Sequence, residues 1–228
     1  MTLTRKKIAM IMAEFLGTAL LTLIVLGVMN KSGVQIPYFI GLAAATAIAA
    51  ATLIFGGVSG AHLNPVVTIG LWSIRRVKTL PAIVYVASQL LGAFAAYWLF
   101  TYFIGQELSG ITGEFEGRIL VAEAAGAFVF SLGWAAVVYQ RYEAGKAAAV
   151  LGLSFFLGIM VSAAGSGGLI NPALALGAQS WVWSTYVLGP VLGAIIGFNL
   201  YSLLFAPANE LTARAESDVD DKPAKKKK

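Results

Sequence analysis

The sequence predicts an all-α membrane protein: six transmembrane helices plus two re-entrant half-helices, arranged as an inverted repeat. Three observations carry this expectation. The 228 residues are 58% hydrophobic with a mean hydropathy of +0.80, and 12% are Asp, Glu, Lys or Arg. That is about half the charged share of a soluble domain, roughly 25%. The charges also leave long gaps, with none in residues 32–74, 79–106 or 147–209. Finally, two apolar connecting segments each carry an Asn-Pro pair, Asn64-Pro65 and Asn171-Pro172.

Taken in order, the apolar runs place spans at 8–29, 37–57, 80–103, 118–139, 147–164 and 184–206. Each is near the about 20 residues that cross a bilayer core. The first is not a cleavable signal, because its apolar stretch is long and Glu14 interrupts it. Residues 58–74 and 165–183 connect spans yet are too apolar for ordinary loops. In each, Gly-rich sequence precedes the Asn-Pro pair and an apolar helical stretch follows. Asn is a good N-cap, and Pro suits the first helical position. Each segment therefore reads as an extended approach followed by a short helix beginning at Pro65 or Pro172. Non-helical backbone at membrane depth is tolerated only where it is buried in protein or lines a cavity. Function is sought here first.

The two segments align with each other. Ser59-Gly-Ala-His-Leu-Asn-Pro-Val-Val-Thr-Ile-Gly70 matches Ser166-Gly-Gly-Leu-Ile-Asn-Pro-Ala-Leu-Ala-Leu-Gly177 at five of twelve positions, offset by 107. Ala13-Glu14 with Gly17 repeats as Ala122-Glu123 with Gly126, and Leu91-Gly92-Ala93 repeats as Leu192-Gly193-Ala194. Pairs in the same order along the chain indicate an internal duplication, with repeats at about 8–103 and 118–206. Each repeat holds three spans, so the second copy is inserted upside down. The short helices then enter from opposite faces, and Asn64 and Asn171 meet near the midplane. A helix N-terminus carries roughly +0.5 charge. Two of them aimed at one point repel cations and protons but not a neutral hydrogen-bonding solute.

Basic residues alternate between the two sides of the membrane. One side collects Arg5, Lys6, Lys7, Arg75, Arg76, Lys78, Arg141 and Lys146, against Lys31 and Arg118 on the other. The C-terminal tail adds six more to the first side. The positive-inside rule puts both termini in the cytoplasm, and a cell-membrane location is expected. Residues 1–207 form the expected channel domain, and 208–228 a charged cytoplasmic tail. The tail reads as a solvated, disordered segment or as one drawn to anionic lipid. The net charge of +5 is thus a membrane signal, not a nucleic-acid one. With no cysteine and His62 as the only histidine, thiol, His-pair and metal-cluster chemistries lose their ligands. No enzyme activity, cofactor or metal is expected.

Over residues 5–207 the chain resembles the major intrinsic protein family, the aquaporins and glycerol facilitators. The motifs carrying the resemblance are Ala13-Glu14-Phe-Leu-Gly-Thr18, the Ser59–Gly70 segment, Gln89-Leu-Leu-Gly-Ala93, Ser166-Gly-Gly-Leu-Ile-Asn-Pro-Ala173 and Gly189-Pro190. The resemblance implies an aquaporin-like fold, a homotetramer in membrane lipid, and one passive pore per subunit. It implies that the Asn64 and Asn171 amides donate to a passing solute besides capping their helices. Acceptor carbonyls would come from Gly60, Ala61, His62 and Leu63, and from Gly167, Gly168, Leu169 and Ile170. Glu14 and Glu123 are expensive inside a membrane unless hydrogen-bonded. The family points to carboxylates that hold the re-entrant backbone; a proton relay is the other reading. His62 reads either as a buried hydrogen-bonded residue or as a gate. The pairing of Gly92 with Ala93 and Ala96 reads as close helix packing.

The departures concern the filter. Val66 stands where the family usually has Ala, and Leu174 stands where it usually has an arginine. The remaining filter positions, carried over by spacing, are Ala44, Ile159 and Gly168. This set offers no charge and no side-chain donor, and it predicts a wide, apolar outer filter. The expected substrates are water and small neutral solutes such as glycerol. The alternative is a non-conducting or gated protein of the same fold, since an apolar constriction can close by dewetting.

Overall fold

The computed structural model describes residues 4–31, 37–110 and 114–207. The 208–228 tail and its proposed disorder or lipid attraction lie outside the described residues. Eight α-helices follow in order: α1 (Arg5–Lys31), α2 (Pro37–Ser59), α3 (Pro65–Ser73), α4 (Thr79–Ile104), α5 (Gly117–Tyr139), α6 (Ala144–Ser162), α7 (Pro172–Gly177) and α8 (Leu188–Phe205). A π-helical turn, Trp183–Val187, leads into α8. Among the described residues six helical stretches are long and apolar enough to cross a membrane. Their ends fall within three residues of the boundaries expected from hydropathy. Two starts lie three residues earlier for local reasons. In α1 the exposed Arg5 and Lys6 and the half-buried Lys7 continue the helix beyond its apolar part. In α6 the Glu143 carboxylate caps the first turn, accepting from Gly145 N at 3.3 Å and Lys146 N at 3.0 Å.

Packing follows the inverted repeat. α1 lies against α2 and α4, and α5 lies in the same way against α6 and α8. α2 meets α6 across the centre, while α3 leans on α8 and α7 on α4. Each half-helix is thus held by the last helix of the other repeat. The core runs between the repeats, with Phe130, Phe155 and Phe198 fully buried. Large apolar side chains elsewhere point outward, as lipid contact requires. Tyr38, Phe39, Tyr102, Phe103, Trp181 and Trp183 are exposed at one end of the bundle, forming the aromatic belt expected at a membrane interface.

Two helix crossings depend on glycine. A Cβ built on Gly92 of α4 would overlap the Phe15 carbonyl oxygen of α1, and one on Gly193 of α8 would overlap the Ala124 carbonyl oxygen of α5. These crossings are equivalent in the two repeats: Phe15 and Ala124 each follow the intramembrane glutamate. Backbone cannot rotate away as a side chain can, so the helices must separate. Gly193→Ala is expected to destabilise by about 1–3 kcal/mol, the usual scale of overpacking. Gly27→Ala is the control, because its Cβ would meet nothing within 4 Å. The control should be neutral or stabilising by up to about 1 kcal/mol through helix propensity. Thermal unfolding in mild detergent measures both, and equal behaviour of the two variants would overturn the close-packing account.

Candidate functional site

The site is built where the two re-entrant segments meet. Asn64 caps α3 with extended backbone (φ −155°, ψ 124°), and its Oδ1 accepts from Val66 N at 3.0 Å. Asn171 caps α7 in the same manner (φ −145°, ψ 106°), accepting from Ala173 N at 3.0 Å and Leu174 N at 3.3 Å. Pro65 and Pro172 occupy the first helical turn, where a missing N–H costs nothing. The side-chain amides then cross over. Asn64 Nδ2 donates to the Ile170 carbonyl at 3.1 Å, and Asn171 Nδ2 donates to the Leu63 carbonyl at 3.1 Å. Each asparagine therefore ties down the residue just before the other. An amide NH2 has two protons, and this bond uses one of them.

The approaches to the two asparagines are backbone of unusual shape. Gly60, Ala61 and Leu63 have φ of 91°, 50° and 54°, and Gly168 and Ile170 have 69° and 40°. Ala61 pairs with Gly168 and Leu63 with Ile170 under the 107-residue offset. Left-handed backbone is unfavourable for side-chain residues, most of all for a β-branched one such as Ile170. The glutamates offset that cost. Glu14 accepts from Ser59 Oγ at 2.6 Å, His62 N at 3.0 Å, Leu63 N at 2.8 Å and Gln89 Nε2 at 2.8 Å. Glu123 accepts from Ser162 Oγ at 3.0 Å, Leu169 N at 3.1 Å, Ile170 N at 2.6 Å and the Ser166 hydroxyl. Both glutamates are fully buried. A carboxylate is an acceptor only, and four donors surround each one.

The third and sixth spans differ in how they support this arrangement. In the first repeat Gln89 reaches both Glu14 and Thr68, the latter at 2.9 Å. Its counterpart in the second repeat is Pro190, which has no donor; there Ser162 completes the set around Glu123 instead. Pro190 also removes a helical N–H that would bond the Tyr186 carbonyl, next to the π-helical turn. Tyr85 closes the first loop by donating to the Ser59 carbonyl at 3.0 Å. Sequence reasoning did not single out Tyr85, Ser162, Thr68 or Trp134. One signal for Tyr85 was available, since Tyr85 and Tyr186 stand at the same 101-residue offset as Gly92 and Gly193.

The remaining predicted residues divide into two groups. Gly60 is half-buried and Gly167 exposed, at the mouths of the loops, while Ala61, Leu63, Gly168, Leu169 and Ile170 are buried. His62 is 6% exposed, its Nδ1 lies 3.1 Å from Thr68 Oγ1, and its ring packs edge-on against Tyr85 and Trp134. Of the filter positions, Ala44 on α2 is 0% exposed, Ile159 on α6 1%, and Leu174 on α7 1%. Ile159 and Gly168 are neighbours: a Cβ on Gly168 would lie 3.3 Å from Ile159 Cγ2. The Ala44, Ile159 and Leu174 side chains are all buried in this conformation. Among the described residues no group of three His, Cys, Asp or Glu side chains comes together to hold a metal.

A sequence profile of the family described as Major intrinsic protein matches residues 2–201. The chain belongs to the major intrinsic protein family. That makes it a multi-pass membrane protein of a channel family, not an enzyme. Aquaporin AqpM of Methanothermobacter thermautotrophicus is 33% identical, over 72% of this chain and 76% of its own length. The probable aquaporin AqpM of Archaeoglobus fulgidus is 31% identical, over 90% of this chain and 98% of its own length. The crystal structure of the aquaglyceroporin from Plasmodium falciparum superimposes with a TM-score of 0.73, covering 90% of this chain and 99% of that one, at 23% identity. This last likeness establishes the major intrinsic protein fold and nothing finer.

Proposed function

We propose that this member of the family is a passive channel for water and small neutral solutes such as glycerol. The observation that carries the reading is the reciprocal pair of amides. Asn64 and Asn171 each cap a half-helix, bond the other loop, and retain one amide proton. Relatives named aquaporin at 31–33% identity support it. In this reading the carbonyls of Gly60, Ala61, His62 and Leu63, and of Gly167, Gly168, Leu169 and Ile170, form the file of acceptors. Glu14 and Glu123 are structural holders of the loops, since none of their hydrogen-bond partners is itself titratable. The opposed helix ends exclude cations.

Ala44, Ile159, Gly168 and Leu174 act as the outer filter. Their small or aliphatic side chains leave a wider aperture than an aromatic and an arginine would, once solute parts them. The near-complete burial of Ala44, Ile159 and Leu174 favours a second reading of the same site: a constriction closed by dewetting that opens on demand. A homotetramer in the cell membrane, with both termini cytoplasmic, completes the proposal; 14 basic residues on one side against two on the other support the orientation. Stopped-flow light scattering on proteoliposomes, first under a sucrose gradient and then under a glycerol gradient, tests it. Water and glycerol rates above those of empty vesicles are expected. Rates equal to empty vesicles for both solutes would leave the closed reading in place of the open channel.

A further inference from the structure

The apolar filter offers a solute no side-chain donor, yet an unpartnered donor lies at the opposite end of the same path. Trp134 on α5 is 5% exposed, and its indole Nε1 is buried without a hydrogen-bond partner. Trp72, Trp98, Trp181 and Trp183 are 44–64% exposed, so Trp134 alone among the five tryptophans is buried. A buried tryptophan ordinarily finds an acceptor for its N–H, which is donor only.

Its surroundings are those of a small binding chamber. Trp134 lines a cavity of about 270 Å³, together with Thr52, Gly56, Gly57, Gly60 and Tyr142. α2 and α5 end there and α6 begins, so it is the vestibule on the face opposite the aromatic belt described above. The glycines make the room, since a Cβ on Gly57 would meet nothing within 4 Å. His62 stands behind Gly60 and Trp134, next to the cavity but not on its wall. Its Nδ1 is engaged by Thr68, whereas its Nε2 faces Gly60, 3.3 Å from where a Gly60 Cβ would sit. The His62 and Trp134 rings stand 5.5 Å apart at 84°, an edge-on contact. Thr52 Oγ1 donates to the Ile48 carbonyl at 2.8 Å and keeps its lone pairs for accepting. An unpartnered donor and an acceptor on the wall of a chamber larger than one water fit a molecule carrying hydroxyls.

We infer that this inner vestibule is a hydrogen-bonding subsite for a small neutral polyol, with the Trp134 indole N–H as its fixed side-chain donor and Thr52 Oγ1 as an acceptor. It rests on the channel reading, and it moves the specificity-determining donor from the outer filter to the inner mouth.

The test uses the full chain in nanodiscs, with glycerol as the probe. The ¹⁵N indole region of the spectrum should show five tryptophan N–H signals. Trp134 is assigned by its loss in Trp134→Phe, or by elimination with Phe substitutions at the four exposed tryptophans should that variant not fold. Adding glycerol is expected to shift the Trp134 signal saturably and to leave the other four in place, while sucrose at equal viscosity shifts none. In proteoliposomes Trp134→Phe is expected to lower the glycerol-to-water permeability ratio by about two- to tenfold, the scale of one net hydrogen bond. A Trp134 signal that glycerol does not move, or moves no more than the exposed four, overturns the subsite even if the channel conducts. A saturable shift in a protein that passes neither solute would uphold the subsite and sink the channel reading instead.

Discussion

Glu123→Leu is expected to cost the folded protein about 3–5 kcal/mol, the usual penalty for removing one partner of a buried charged network. For a chain of this size that lowers the unfolding midpoint by about 10 °C, at roughly 2–4 °C per kcal/mol. The reason lies in what the carboxylate leaves behind. Leu169 N and Ile170 N, on buried residues, lose their acceptor and are left unpaired. Ile170 also sits at a φ of 40°, and its carbonyl accepts from the Asn64 amide of the opposite loop. Releasing the loop therefore loosens the opposite half-helix as well. Glu14→Leu should behave alike, because Glu14 holds His62 N and Leu63 N in the same way. Glu123→Gln keeps one acceptor oxygen and turns an NH2 toward donors, so it should fall between wild type and Leu. Thermal unfolding in detergent, followed by gel filtration, reads the series. A Leu variant with the wild-type midpoint would show that the loops keep their shape without the carboxylates.

Much of this was legible in the sequence, and the boundary of legibility is physical. Spans follow from hydropathy because a bilayer imposes both length and apolarity. The inverted repeat follows from duplicated residues, and the Asn-Pro pairs mark helix starts because capping is a local event. The supports of Glu14 and Glu123 are not local. Gln89 lies 75 residues from Glu14 and Ser162 39 residues from Glu123, and nothing in either helix alone says that it faces a carboxylate. The π-helical turn before α8 adjoins Pro190, whose missing N–H leaves the Tyr186 carbonyl without its helical donor, a detail that hydropathy does not report. Trp134 was hidden for the opposite reason. A tryptophan in an apolar span reads as a lipid-facing anchor, and only the packing of α5 against His62 shows it turned inward.

Leu174→Arg is expected to lower the glycerol-to-water permeability ratio by about tenfold, equivalent to roughly 1.4 kcal/mol, the scale of one net hydrogen bond. Leu174 is 1% exposed and lies in the continuous apolar core with Ala44 and Ile159. A guanidinium cannot remain unpaired among such neighbours, since burying a bare charge costs far more than any packing gain. It must draw water into the constriction, which opposes dewetting and favours water passage. Its length also fills the space that Ala44 and Gly168 leave, and that works against a solute of three carbons. The two effects act on the ratio in the same direction, which makes it a better measure than either rate alone. Leu174→Ala is the complement: it adds aperture without a charge, and the ratio should rise. Both are read by stopped-flow scattering at equal protein per vesicle. If Leu174→Arg leaves the ratio unchanged or raises it, position 174 does not set the solute cutoff, and selection falls to the inner vestibule around Trp134.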